Sequence, residues 1–310
     1  MPPGEAVMTG VYDFRIVVLS VLIAITASYT ALVLVGRVMA TAGTSRRLWL
    51  AGGATVMGLG IWSMHYIGML AFHLPIPVDY DWPTVLASLL AAVLASGVAL
   101  FVATRPRVGW ANTGVGSVFM GAGIAAMHYL GMAAMRLAAM CHYNGYLVAL
   151  SILLAIVVSF VGLRLLFALR DEENAGARRK AITAAVMGAA IPLMHYTGMA
   201  AATFTPSNSM TDTSRMIGVD RIGMAAIATV TFVVLGLTVL HSMLDRKYSA
   251  RSSQLKLAER RYQLLFERSL AGGLRTTTTM DGQILDCNEA CARIFGFSSR
   301  EEMMATSMDG

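Results

Sequence analysis

Charge is scarce in this chain. Of its 310 residues only 14% are Asp, Glu, Lys or Arg, whereas 56% are hydrophobic. A soluble domain carries about 25% charged residues. A freely soluble protein is therefore excluded, and an integral membrane protein with a short polar tail is expected. Cysteine is nearly absent too. The three cysteines, Cys141, Cys287 and Cys291, have spacings that give no disulfide framework, zinc motif or c-type haem motif. No paired carboxylates occur within the long apolar stretches, which argues against oxygen-loving metals there. No nucleotide-cyclase, phosphodiesterase or kinase motif appears, so no catalytic residue is assigned and no enzyme activity is expected of these residues. The net charge of +6 does not point to nucleic acid, because the basic residues sit at the ends of apolar stretches.

What is abundant is apolar length. A membrane span needs about 20 mostly apolar residues. Seven stretches qualify: Phe14–Met39, Leu48–Phe72, Thr84–Thr104, Trp110–Met135, Tyr146–Leu169, Ala181–Phe204 and Ile222–Met243. The first is too long for a signal-peptide core, and no basic residue precedes it. Pro75, Pro77, Pro83, Pro106 and Asp171-Glu172-Glu173-Asn174 punctuate the connections. One set of connections carries Arg37, Arg46, Arg47, Arg105, Arg107, Arg164, Arg170, Arg178, Arg179 and Lys180; the opposite set carries Arg15, Arg136, Arg215 and Arg221. The positive-inside rule then predicts an outer N-terminus and a cytoplasmic C-terminus, in the cell inner membrane.

Within this apolar material one frame occurs three times. Met57-Gly58 leads to Met64-His65-Tyr66-Ile67-Gly68-Met69. Met120-Gly121 leads to Met127-His128-Tyr129-Leu130-Gly131-Met132, and Met187-Gly188 to Met194-His195-Tyr196-Thr197-Gly198-Met199. The histidines are 63 and 67 positions apart, about one helical hairpin, so the repeats run parallel on the second, fourth and sixth spans. The expected fold is all-α: seven transmembrane helices with three parallel helical-hairpin repeats, and a short α+β tail.

An intramembrane histidine is costly and reads as functional by default. Helix geometry stacks His65 with Met69, His128 with Met132 and His195 with Met199. Gly68, Gly131 and Gly198 lie near the same face and should admit a neighbouring backbone, with Gly58, Gly121 and Gly188 extending the stripe. Pro192 should kink the sixth span. Three imidazoles with the thioethers of Met64, Met69, Met127, Met132, Met194 and Met199 favour copper, Cu(I) above all. Zinc prefers Cys, His or carboxylate, and a haem on these histidines has no supporting motif. His73, Cys141 and His142 are weaker ligand candidates or ordinary outer-loop residues. The packing alternative stays open, since methionine commonly fills cores and a duplicated packing unit would preserve the frame. Tyr66, Tyr129 and Tyr196 read as interface anchors or hydrogen-bond partners.

The triple Met-His-Tyr frame on alternate spans resembles the MHYT sensor domain over about residues 12–245. Only Met194-His195-Tyr196-Thr197 spells the signature in full; Ile67 and Leu130 stand at its last position. The resemblance implies a bacterial membrane sensor placed before signalling output domains. It also implies a copper site, here His65, His128 and His195 with flanking methionines, that senses oxygen, carbon monoxide or nitric oxide. The competing readings are a copper or small-solute transporter or channel, a membrane oxidoreductase, and a structural anchor for signalling domains.

Residues 246–263 form a polar connector. Tyr248, Leu255, Ala258, Tyr262 and Leu265 fall near a 3/4 spacing, which suggests a short coiled coil and a homodimer, or else a solvated helix. Beyond it, Gly273–Thr279 and Gln283–Asp286 read as strands joined by an Asp281-Gly282 turn. Asn288 caps a short helix, and Ser298 with Glu301 forms a capping box. With Tyr262-Gln263-Leu264-Leu265-Phe266-Glu267 and Phe295-Gly296-Phe297, residues 264–310 resemble the opening of a PAS domain and are expected to be a truncated one. Cys287 and Cys291 there read as ordinary thiols, and His241 as an interfacial residue.

Overall fold

The computed structural model describes residues 7–39, 41–105, 109–170, 177–207, 215–276 and 284–308. The positions of Pro106, Arg107, Asp171–Asn174 and Asp281-Gly282, and the side chains of His241 and Tyr248, lie outside the described residues. The chain divides into two compact units, Met1–Gly236 and Leu237–Gly310.

The first unit is built from three helical hairpins. They are α1 (Phe14–Met39) with α2 (Gly43–Leu70), α3 (Trp82–Ala103) with α4 (Trp110–Ala133), and α5 (Gly145–Arg170) with α6 (Ala177–Ala200). Each helix packs on the next, and α6 returns to α1, so the six close into a ring. The inner helix α2 also meets α4 and α6. The outer helices turn Leu22, Leu86, Leu90, Leu94, Leu153 and Val157 away from the protein. Such a continuous apolar exterior suits lipid rather than water. Pro192 sits inside α6, which continues past it as one helix.

Five of the seven expected spans are long and apolar enough to cross a membrane among the described residues: α1, α3, α4, α5 and α6. The other two are α2, whose glycines, Ser63, His65 and Tyr66 lower its mean hydropathy, and α7 (Val219–Arg268).

The structure is mostly helical, as expected, with one addition: the helix ends carry a cap of short strands. β1 (Val11–Tyr12) pairs with β2 (Phe72–His73), and β5 (Ala139–Tyr143) pairs with β6 (Ala202–Pro206). β3 (Asp79–Asp81) pairs with β4 (Met135–Arg136) on one side and with β7 (Met216–Gly218) on the other. All these pairings are antiparallel. The physical cause recurs in every hairpin. The motif helix ends at a buried alanine, Ala71, Ala134 or Ala201. Its carbonyl accepts the backbone N–H of Asp13 (2.9 Å), Asp81 (2.9 Å) or Asn144 (2.9 Å). That Asx residue in turn caps the outer helix: Asp13 accepts from the Arg15 N–H, Asp81 from Thr84, and Asn144 from Tyr146 and Leu147. Each hairpin is thus clamped at its open end, and the flanking extended residues pair.

In the second unit β8 (Leu274–Thr276) pairs antiparallel with β9 (Ile284–Cys287), followed by α8 (Glu289–Ile294) and α9 (Arg300–Met308). Cys287, Cys291, Ala292 and Met303 form its small core. Asn288 caps α8 as expected, accepting from the N–H of Cys291 at 2.8 Å and of Gly273 at 2.9 Å. Its amide donates to the carbonyls of Phe266 and Ala271. The next cap falls one residue beyond the expected box: Ser299 accepts from the Glu302 N–H, and the Glu302 carboxylate accepts from the Ser298 N–H. Of the proposed seam, Leu255, Tyr262 and Leu265 are exposed.

Candidate metal centre

The three motif histidines converge. His65, His128 and His195 are fully or almost fully buried, on α2, α4 and α6. Their Nδ1 atoms make a near-equilateral triangle: 3.1 Å from His65 to His195, 3.3 Å from His128 to His65, and 3.2 Å from His195 to His128. The ring planes stand 87–88° to one another, like blades of a propeller. Among the described residues this is the one convergent set of three His, Cys, Asp or Glu side chains.

Hydrogen bonding alone cannot satisfy this triangle. An imidazole nitrogen either carries a proton or offers a lone pair. Among three mutual contacts at most two can therefore pair a donor with an acceptor. The third sets lone pair against lone pair, or proton against proton. A cation at the centre would engage all three lone pairs together. Tetrahedral coordination at 2.0–2.1 Å requires edges of about 3.3–3.4 Å between ligand nitrogens, and the observed 3.1–3.3 Å lies within a few tenths of an ångström of that. The residues present fit a metal ion held by three Nδ1 atoms, with a fourth position open.

The glycine in each motif has a different partner from the one expected. A Cβ on Gly68 would strike the His195 ring, one on Gly131 the His65 ring, and one on Gly198 the His128 ring. These glycines admit an imidazole of another repeat, not a backbone. The Nε2 atoms that lie over them have no hydrogen-bond partner. The upstream glycines do admit backbone: Gly58 meets Val93 of α3, Gly121 meets Ile156 of α5, and Gly188 meets Ile25 of α1.

The motif tyrosines are hydrogen-bond partners. Ser20, Ser88 and Ser151 each donate to a carbonyl three residues back, Val17, Val85 and Val148, at 2.7–2.8 Å. Their single proton is thereby used. The tyrosine must donate: Tyr196 to Ser20 at 2.9 Å, Tyr66 to Ser88 at 3.3 Å, and Tyr129 to Ser151 at 2.6 Å. Trp62 also donates to Ser88, at 3.2 Å. Each tyrosine ring meets a second tyrosine edge-on: Tyr196 with Tyr12, Tyr66 with Tyr80, and Tyr129 with Tyr143. Burial, with Tyr196 adding to it, pushes the Tyr12 phenol up to about 12, and burial raises Tyr80 and Tyr143 too. These cap tyrosines stay neutral.

This second constellation had a signal in the sequence that the histidine frame obscured. Tyr12-Asp13, Tyr80-Asp81 and Tyr143-Asn144 each precede a Val and a Ser at the same offsets: Val17 and Ser20, Val85 and Ser88, Val148 and Ser151. It lies at the start of the other helix of each hairpin, away from the histidine frame.

Met64, Met69, Met127, Met132, Met194 and Met199 are all buried. Met194 packs in one apolar cluster and the other five in a second. His73, Cys141 and His142 fall outside the triangle. His73 lies on β2 with its Nδ1 at 3.3 Å from the Ala71 carbonyl, Cys141 is exposed on β5, and His142 Nε2 contacts the Thr205 hydroxyl at 3.2 Å.

Residues 5–52, 58–116 and 121–176 match the MHYT family, described as a bacterial signalling protein N-terminal repeat. The third histidine motif lies beyond those segments. The chain is 43% identical over 245 residues, 79% of its length, to the bifunctional diguanylate cyclase/cyclic di-GMP phosphodiesterase MucR of Pseudomonas aeruginosa, covering 36% of that protein. It is 35% identical over 303 residues, 96% of its length, to the signaling protein YkoW of Bacillus subtilis, covering 37% of it. It is 43% identical over 199 residues to the cyclic di-GMP phosphodiesterase NbdA of Pseudomonas aeruginosa, covering 25% of it. The chain thus spans about a third or less of these relatives. No solved structure matches it.

Proposed function

The chain belongs to the MHYT family of bacterial signalling proteins, and from that premise we propose that this multi-pass membrane sensory module detects a diatomic gas (oxygen, carbon monoxide or nitric oxide) or redox state through copper held by its three histidines. One observation carries the proposal: three buried Nδ1 atoms 3.1–3.3 Å apart whose lone pairs hydrogen bonds alone cannot satisfy. Imidazole suits copper and zinc alike; the thioethers of Met64, Met69, Met127, Met132, Met194 and Met199 nearby in the sequence tip the choice to copper.

His65, His128 and His195 would hold the ion. Bound copper would supply a redox-active centre with an open position for a small ligand. The chain's own residues do the rest. Gly68, Gly131 and Gly198 leave room for the rings, so the ring positions report how the three hairpins pack. Tyr66, Tyr129 and Tyr196 tie each motif helix to the next hairpin, so movement at one histidine is felt at the seams. A signal needs two packing states that the ligand binds unequally. We assign those states to the packing of α2, α4 and α6, with output through α7.

The same reading places seven spans in the cell inner membrane, with the N-terminus outside and the C-terminus cytoplasmic, on the arginine and lysine distribution. It makes residues 264–310 a PAS-like segment ahead of output domains, and the connector a site of homodimer contact. The relatives' cyclic di-GMP activities suggest that output class. A transport reading would need a polar route along the axis, whereas Ile61, Ile124 and Ile191 line the space one turn from the histidines.

Metal analysis tests the central claim. Purified protein loaded with Cu(I) under reducing conditions should retain about one copper per chain, as one three-histidine site implies. His65→Ala, His128→Ala and His195→Ala should each lose it. Copper retained by the triple variant would sink the site. Copper flux into vesicles would favour transport instead. A reporter fused after Lys247 that is active only outside the cell would overturn the topology.

A further inference from the structure

A second feature lies on the line of the three repeats. Four residues before each histidine stands an isoleucine, and eight before it a methionine: Ile61 and Met57, Ile124 and Met120, Ile191 and Met187. At 1.5 Å per residue these form layers about 6 and 12 Å from the histidines, away from the strand cap. All six side chains line one cavity of about 30 Å³. All six are also buried.

The cavity is not a comfortable place for water. A buried water makes about three hydrogen bonds and needs two to four polar partners. Here the lining is apolar except for two hydroxyl residues, Ser28 and Ser159. Ser159 is buried, and its Oγ has no hydrogen-bond partner. A water-sized occupant needs about 10–15 Å³ on this measure, so the space admits a guest somewhat larger than one water. The surroundings do not require it to be open. A Cβ on Gly162, which lines the cavity, would meet only the Met187 Cε, at an ordinary 3.5 Å. Glycine in a helix interior is less favourable than alanine, yet it stands there.

We infer that this methionine- and isoleucine-lined void is a docking site for a small apolar gas molecule, one helical turn from the histidine triangle. The inference rests on the gas-sensing reading above for its biological guest, but the void itself can be probed without metal. A diatomic gas fits the size and the polarity, and the Ser159 hydroxyl offers a weak hydrogen bond to an oxygen end. The void would concentrate guest beside the histidines, in apolar surroundings that offer water few hydrogen-bond partners.

Xenon is the probe. The full chain, labelled with ¹³C at its methionine methyls and held in nanodiscs, would be titrated with xenon and, as a control, argon. The Met57, Met120 and Met187 methyl resonances, assigned by single substitution to leucine, should shift saturably with xenon. Gly162→Leu, which fills the space, should abolish that shift while leaving copper per chain unchanged. Val158→Phe, on another part of the lining, is a second filler should Gly162→Leu fail to insert. Absence of a saturable shift, or a shift that both fillers leave intact, overturns the site. Loss of the copper reading would show separately, as protein without metal whose xenon response persists.

Discussion

At the residue scale, the histidine and the glycine three positions later belong to one interaction, but not within one helix. His65 lies over Gly131, His128 over Gly198 and His195 over Gly68. Any side chain at these glycines must displace a ring. Gly131→Ala should therefore destabilise the protein by about 1–3 kcal/mol, as overpacking does, seen as a lowered unfolding midpoint in detergent. Gly36→Ala, where nothing lies within 4 Å, is the control and should not lower it. The sequence made both residue types conspicuous and placed them near one face. It could not say what filled the gap, because the partner lies more than sixty residues away and a missing side chain does not specify its occupant. The tyrosines show the same limit. Tyr129→Phe keeps the ring against Tyr143 but removes the donor to Ser151, at a cost of about 1 kcal/mol. An unchanged unfolding free energy for that variant would mean the hydroxyl pair is immaterial.

At the element scale, the helices were legible and their ends less so. Apolar length placed six helices of the ring within a few residues, because a span's length is set by bilayer thickness. The strand cap is not legible in the sequence, since its strands are two to five residues long and too short for an alternating pattern. What builds it is the Asx residue that caps an outer helix and donates its own N–H to the end of the motif helix. Asp81→Ala should lower the thermal unfolding midpoint, as loss of such a cap does. The pH dependence has a definite sign. The Thr84 hydroxyl, first among several groups, holds the Asp81 carboxyl below its ordinary value. Its contribution is present at neutral pH and is lost as pH falls through that lowered value. Asp81→Asn should blunt the acid limb of the stability profile and leave the alkaline limb alone.

At the scale of the whole molecule, three hairpins interlock in one rotational sense. The first reaches the second through His65, Tyr66 and Gly58. The second reaches the third through His128, Tyr129 and Gly121, and the third returns to the first through His195, Tyr196 and Gly188. Each hairpin thus supplies groups that only the next can satisfy, so two hairpins leave buried polar atoms without partners. Unsatisfied polar groups are costly away from water. Removing residues 80–143, the middle hairpin, should therefore abolish folding: a fluorescent fusion of the deletion should run as aggregate in size-exclusion chromatography where the full chain is monodisperse. A monodisperse deletion with proportionate helix content would refute the interlocked ring.

The sequence by itself determined which segments are helical, that three of them carry one repeated face, and that histidine, methionine and glycine share it. Those properties follow from local periodicity and from the cost of leaving backbone polar groups unpaired in an apolar medium. Only the tertiary structure decided that the histidines meet at 3.1–3.3 Å, that each ring crosses to the next repeat, and that tyrosine and serine lock the seams. A helical period states which way a side chain points, not what stands opposite. The close approach of three Nδ1 atoms is set by six helices closing a ring, a long-range packing result that no single segment encodes.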